Sequence, residues 1–266
     1  EISFRARWVS GSDQVHTRLY FHRLPRTTRV GRPELSGTPG APNSRAVANL
    51  GPTFAALHHA PAVPAPMEAV TVTVTASDPD GVGALTLWSS VEGGPWQDQA
   101  MTSLGDGVWA GGVDGQGAGA VLQFYVEAED GLGAVSTFPA AGPASRALVG
   151  WDEGSASTTG LHDFRILLTP ADSDWMHEDV HLMSDDPIGA TVVYEESEVF
   201  YDVGLRAKGS ERGRPQAQRL GYGVKFHRDQ PFRGSHTSVM LDRSEGVGYG
   251  QREVLLNLAM ARAGSV

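Results

Sequence analysis

The clearest hydrophobic pattern in the chain lies just after residue 69, where Val70, Val72 and Val74 alternate with Thr71, Thr73 and Thr75. Period-two alternation sends the valines to one side of a strand and the threonines to the other, so the pattern predicts a half-buried strand. Asp78-Pro79-Asp80-Gly81 follows with turn chemistry. Further strands are predicted at 84–90, near 107–112 and at 121–128, the last closing on Asp130-Gly131-Leu132-Gly133. Short strands spaced by turn signals predict a β-sandwich over 67–148, with Trp88, Trp109, Phe124 and Tyr125 as core or near-core aromatics.

The flanking segments have other patterns. Residues 2–9 and 15–21 predict two strands joined at Ser10-Gly11-Ser12-Asp13, the last hairpin of an upstream β domain that ends near residue 24. A stretch rich in Pro, Gly and Ser runs over 25–66 and predicts a linker, within which His58-His59 is expected to be exposed and inert. A second linker is predicted at 149–160. Beyond it come a strand at 164–169, a helix at 172–180 capped by Asp172 or Ser173, and a hairpin over 189–208 turning at Glu195-Glu196-Ser197. The pattern closes on a helix at 251–263, with Gly264 where a C-terminal cap belongs. The expected divisions are therefore 1–24, 25–66, 67–148, 149–160 and 161–266.

Bulk properties narrow the functional classes. The chain has 266 residues, 40% of them hydrophobic, enough for more than one core. Its formal net charge of −10 argues against a nucleic-acid partner, since counterion release needs a basic surface. With no cysteine, a disulfide framework, a thiol nucleophile and Cys-ligated zinc are excluded. No apolar run approaches the roughly twenty residues of a membrane-spanning helix. Opening on Glu1 within a strand-like run and closing just after a helix, the chain reads as part of a longer polypeptide whose export signal would lie upstream.

Candidate chemistry gathers in the last third. Alternation over 199–208 puts Tyr201, Val203, Leu205 and Ala207 on one face and Asp202, Arg206 and Lys208 on the other, so two cations share a face. Gly209-Ser210-Glu211-Arg212-Gly213-Arg214 follows, whose glycines could let backbone N–H groups curl around an anion; a solvated basic hairpin tip fits the same residues. On the final helix, apolar side chains spread nearly all round, which predicts burial, while Glu253 and Asn257 share a stripe. A carboxylate on a buried helix needs a cationic partner, and Lys208 or Arg206 would supply it. A strand lysine paired to a helix glutamate beside a small-residue loop is the phosphate-positioning arrangement of protein kinases.

The series Tyr201-Asp202-Val203-Gly204-Leu205-Arg206-Ala207-Lys208-Gly209-Ser210, Phe232-Arg233-Gly234, Leu241-Asp242-Arg243-Ser244 and Arg252-Glu253 resembles the signature of the spore-coat-protein-H (CotH) kinase-like family over about 160–266. Members are atypical kinases, some of which phosphorylate serine on spore-coat proteins. The resemblance implies ATP, Mg or Mn, and a protein acceptor phosphorylated on Ser or Thr. It assigns Lys208 to the nucleotide phosphates, Glu253 to orienting Lys208, and Arg206, Gly209, Ser210 and Arg212 to the nucleotide. Asp242 either joins that site or holds Arg243 or caps a turn. The acidic metal-binding and catalytic residues of such kinases would lie beyond Val266, so the chain by itself is expected to be inactive. Residues 37–44 resemble the end of a lamin-tail-like β domain, and 67–148 resembles the immunoglobulin-like modules placed before CotH domains. The expected fold class is multidomain and mainly β: an immunoglobulin-like sandwich followed by the α+β N-terminal portion of an atypical kinase-like fold. The setting implied is extracellular or cell-envelope.

Other motifs compete. His177-Glu178-Asp179-Val180-His181 matches H-E-x-x-H, in which a helix would present two imidazoles to zinc with a glutamate as base. The charged Asp179, the stop at Asp185-Asp186-Pro187 and the lack of a third ligand favour coincidence, so no metal residue is assigned. Asp78-Pro79-Asp80-Gly81 suits either a calcium loop or an Asx-stabilised turn. Trp88, Trp96 and Trp109 suit a sugar platform or packing. Besides a kinase part, the sequence is compatible with a non-catalytic extracellular module that binds protein or polymer, and more distantly with a zinc hydrolase.

Overall fold

The computed structural model describes residues 14–17, 26–29, 47–156, 162–178, 181, 183–208, 220–241 and 251–264. The chain is mainly β, built from several antiparallel sheets. Strands β1 (Gln14–Thr17) and β2 (Arg26–Arg29) pair antiparallel, with Gln14 opposite Arg29. The expected strand at 2–9 lies outside the described residues, and β1 finds its partner in a segment expected to be linker.

That linker expectation also fails at β3 (Thr53–Ala60), which pairs with β4 (Val70–Ser77). Its apolar positions do not alternate because the ladder shifts register between Ala55 and His58, and Ala56 sits at φ 51° in that gap. An extra residue in a ladder breaks the period that sequence reading depends on. β4 itself follows the predicted alternation, with Val70, Val72 and Val74 buried.

The remaining strands complete a two-layer sandwich. They are β5 (Val82–Val91), β6 (Gln97–Ala100), β7 (Thr102–Gly105), β8 (Val108–Val113), β9 (Val121–Asp130), β10 (Val135–Phe138) and β11 (Ala147–Gly150). One sheet runs β3-β4-β8-β7; the other runs β10-β9-β5-β6, with β11 also on β9. Between them lie Val70, Val72 and Val74 from the first sheet and Leu85, Leu87, Leu122 and Phe124 from the second. Each such side chain contributes about 1.5–3 kcal/mol through burial. Phe124 and Tyr125 are buried as expected, whereas Trp88 and Trp109 are half-buried. Trp109 packs against the core, while Trp88 stacks on Tyr125 at 6.1 Å and Trp96 meets that ring edge-on at 5.0 Å. The three tryptophans therefore do not share one platform.

His59 corrects a second expectation. It is fully buried in β3, its Nδ1 2.5 Å from the Tyr201 hydroxyl and its Nε2 3.0 Å from the Ala62 carbonyl. A carbonyl only accepts, so Nε2 carries the proton and Nδ1 accepts from the tyrosine, which satisfies the neutral ring completely. Burial pushes its pKa down to about 4.

Contacts group the chain into two compact units, Glu1–Pro170 with Gly189–Asp202, and Ala171–Ile188 with Val203–Val266. The stretch 149–160 thus falls within the first unit, where Trp151 is fully buried and donates from Nε1 to the Glu68 carbonyl at 2.9 Å. In the same unit β12 (Phe164–Leu167) pairs with β13 (Ile188–Tyr194). The hairpin from β13 into β14 (Glu198–Lys208) turns at the predicted residues, with Glu195 and Glu196 both at positive φ (51° and 52°) and Ser197 N–H bonded to the Tyr194 carbonyl. That is the primed turn whose twist suits a hairpin. Arg165, nearly buried, clamps this turn: it binds both oxygens of Glu196 (3.1 and 2.9 Å), Glu153 (2.8 Å) and Asp152 (3.1 Å). Burial opposes its charge, but the three carboxylates outweigh that and raise its pKa.

In the second unit the C-terminal half of β14 pairs with β15 (Gly221–Lys225), and β15 with β16 (Ser238–Leu241). Helix α1 (Pro170–His177) begins two residues earlier than expected and stops three earlier. Proline at a first helical turn loses no hydrogen bond, since that N–H would have no intrahelical partner. Helix α2 (Gln251–Arg262) ends near Gly264 at φ 71°, as the cap pattern predicts. Its expected burial is corrected: Leu255 is 63% exposed, and Leu258 and Met260 are also exposed. An all-round apolar pattern states what a helix face favours, but burial also needs a facing element. No described helix is long and apolar enough to cross a membrane, which says nothing of strands.

Candidate functional site

The cations predicted to share a face do so. From Val203 onward β14 alternates strictly, with Val203, Leu205 and Ala207 buried and Gly204, Arg206 and Lys208 half-exposed opposite them. Residues directly opposite in a ladder lie on one face of the sheet. The register sets Gly204 beside Lys225 and Ser238, Arg206 beside Gly223 and Met240, and Lys208 beside Gly221. One face of the second unit thus carries three cations over three glycines.

The glycines decide its shape. A Cβ at Gly223 would meet the Met240 sulfur at 3.2 Å and Arg206 Nε at 3.4 Å, so its absence lets the guanidinium lie across the sheet. At Gly204 a Cβ would meet the Pro187 ring at 3.1 Å. The result is a groove of about 370 Å³ in which Pro187 and Met240 cover Gly204 and Gly223, and which Arg206, Lys225, Ser238 and Asp185 edge. Arg206 Nη1 lies 3.2 Å from Asp185 Oδ1, which fixes the guanidinium at the rim. Arg206 and Lys225 give the groove cationic donors that suit an anion such as a phosphate chain, beside the apolar side chains of Pro187 and Met240.

Of the residues predicted for this chemistry, Arg206 lines the groove and Lys208 shares its face at the end of β14. Gly209, Ser210, Arg212 and Asp242 lie outside the described residues. Glu253 is the third residue of α2, and its side chain is likewise outside the described ones. Sequence reading missed Lys225, Gly223 and Asp185. The alternation of Gly221, Gly223 and Lys225 was a usable signal, but only strand register shows which residues they face.

The H-E-x-x-H motif is not displayed on a helix, because α1 ends at His177. Glu178 Oε2 lies 3.0 Å from His181 Nδ1, and the His181 ring stacks on Trp175 at 4.1 Å. Among the described residues, Asp78, Asp80 and Asp130 form a group with metal-ligand spacing, their oxygens within 4.8 Å of one another. Asp130 is already engaged: Oδ1 accepts from the N–H groups of Leu132 and Ala134, and Oδ2 from the Asn49 amide. Burial works against its charge, yet these bonds hold the carboxyl below its ordinary range. Asp78 Oδ1 accepts from the Asp80 N–H, the expected Asx turn.

No protein-family model matches the chain, and no curated protein matches it. Among solved structures, it is similar to the crystal structure of a Br derivative of BhCBM56, at 22% identity, covering 26% of this chain and 71% of that one, with a TM-score of 0.22. A likeness of that extent carries no argument about fold or function.

Proposed function

We propose that the β14-β15-β16 face binds nucleotide phosphates, as the N-terminal part of an atypical, CotH-type protein kinase carried by a secreted or envelope-associated protein. The sandwich before it is then the immunoglobulin-like module of such an architecture. The observation that carries this reading is the register that sets Arg206, Lys208 and Lys225 on one face of the sheet. A phosphate chain offers several acceptor oxygens and a bidentate partner for a guanidinium. In this reading Lys208 contacts phosphate, Arg206 steers it, and Glu253 orients Lys208. ATP with Mg or Mn would supply the transferable phosphoryl group, with the metal neutralising charge on its oxygens. Protein serine or threonine is the acceptor.

Calorimetric titration with ATP and Mg²⁺ tests the reading. Binding should weaken about tenfold or more in Lys208→Ala and by a similar factor in Arg206→Ala, the value of a lost charge-assisted contact. Equal affinity in the parent chain and in both variants would overturn it.

A further inference from the structure

We infer that the open edge of the sandwich is a second binding site, for an uncharged saccharide, independent of the nucleotide reading. A cleft of about 420 Å³ lies there, within the ~300–1,000 Å³ range of small-ligand sites. One wall is the end of β5 and the edge strand β6, whose register places Gln97 opposite Ser89 and Gln99 opposite Leu87. The other wall is the segment after β8, carrying Asp114 and Gln116. Half-buried Val91 adds apolar surface within the cleft, with core Leu122 behind it.

The second wall is held in place. Met67 N–H donates to the Gln116 carbonyl at 2.7 Å, and the Gln116 side chain donates to the Asp114 carbonyl at 2.8 Å. A Cβ at Gly115 would fall 2.1 Å from the Met67 carbonyl oxygen, so only glycine permits this approach. The first wall is held by the β5 ladder. Two backbone-anchored walls reduce the ordering cost at the moment of binding to that of the side chains.

The chemistry of the lining selects the ligand class. Three primary amides, one hydroxyl and two carboxylates (Asp98 and Asp114) line the cleft, and no cation does. Amides both donate and accept, which matches hydroxyl groups that do the same; carboxylates accept from paired hydroxyls. Val91, half-buried, suits the C–H face of a sugar ring. Anions are repelled by the carboxylates. A polyamine could be drawn to them, but it would leave the amide carbonyls and N–H groups of the glutamines imperfectly matched.

The test is NMR titration of the whole chain with cellobiose, maltose and N,N′-diacetylchitobiose, with spermidine and inorganic phosphate alongside. At least one disaccharide should bind saturably, at an affinity in the micromolar to millimolar range, and about tenfold more weakly in Gln97→Ala/Gln99→Ala. If thermal melting shows that the double variant is unfolded, Asp114→Asn reads the same loss from the other wall. ATP affinity should be unchanged in these variants, which separates failure of this site from failure of the nucleotide face. Absence of saturable disaccharide binding, binding unaltered by the variants, or binding by spermidine alone would overturn the inference.

Discussion

His59 and Arg165 are buried polar groups with opposite electrostatic solutions. His59 stays neutral, sandwiched between one donor and one acceptor, with its pKa held near 4 by burial. An unfolded chain would protonate this ring near its ordinary 6.5, so below that pH the unfolded state binds a proton that the folded state refuses. Its contribution is complete above about pH 6.5, declines as pH falls toward 4, and is flat below; the full change is about 3 kcal/mol. Urea unfolding from pH 7 to pH 4 should show this loss, and a constant midpoint would contradict it. Arg165 stays charged by gathering Glu196, Glu153 and Asp152. Arg165→Met leaves those carboxylates facing each other and should cost about 2–3 kcal/mol, the low end for a broken buried pair because the acids are partly exposed. Equal denaturant midpoints for the parent chain and the variant would argue against the clamp.

Strand β3 shows how an element can escape its own sequence. The bulge at Ala55–His58 breaks alternation, and the neighbouring prolines make the segment read as linker. Yet β3 closes the edge of β4 and delivers His59 to the buried Tyr201 hydroxyl. A chain beginning at Met67 should therefore be less stable than one beginning at Val47, by about 3 kcal/mol or more, since it loses a strand ladder and a buried ring. Comparable denaturant midpoints for the two chains would show β3 to be dispensable. The β14-β15-β16 face is the opposite case. Its alternation was plain in Val203, Leu205 and Ala207, and the pairing of Arg206 and Lys208 on one side followed directly.

At the scale of the whole molecule, charge and fold stability meet in one pH range. The net charge is −10 at pH 7 and falls to zero near pH 5.3, inside the interval where His59 weakens the fold. Loss of mutual repulsion and partial unfolding both favour association. Static light scattering should peak near pH 5 and fall again by pH 4 as net positive charge builds. Scattering that rises steadily to pH 4 would assign the effect to unfolding alone.

The sequence by itself determined that β4 and the second half of β14 are half-buried strands, that turns fall at Asp78–Gly81 and Glu195–Ser197, and which cations share a strand face, because each depends on neighbours within a few residues. Tertiary structure alone decided that β3 belongs to the sandwich, that His59 is buried, that the turn at Glu195-Glu196 is clamped by Arg165, and that Gly223 and Lys225 complete a groove with Arg206. Those contacts join residues far apart in the chain. Strand register and packing bring them together, and no local period encodes either.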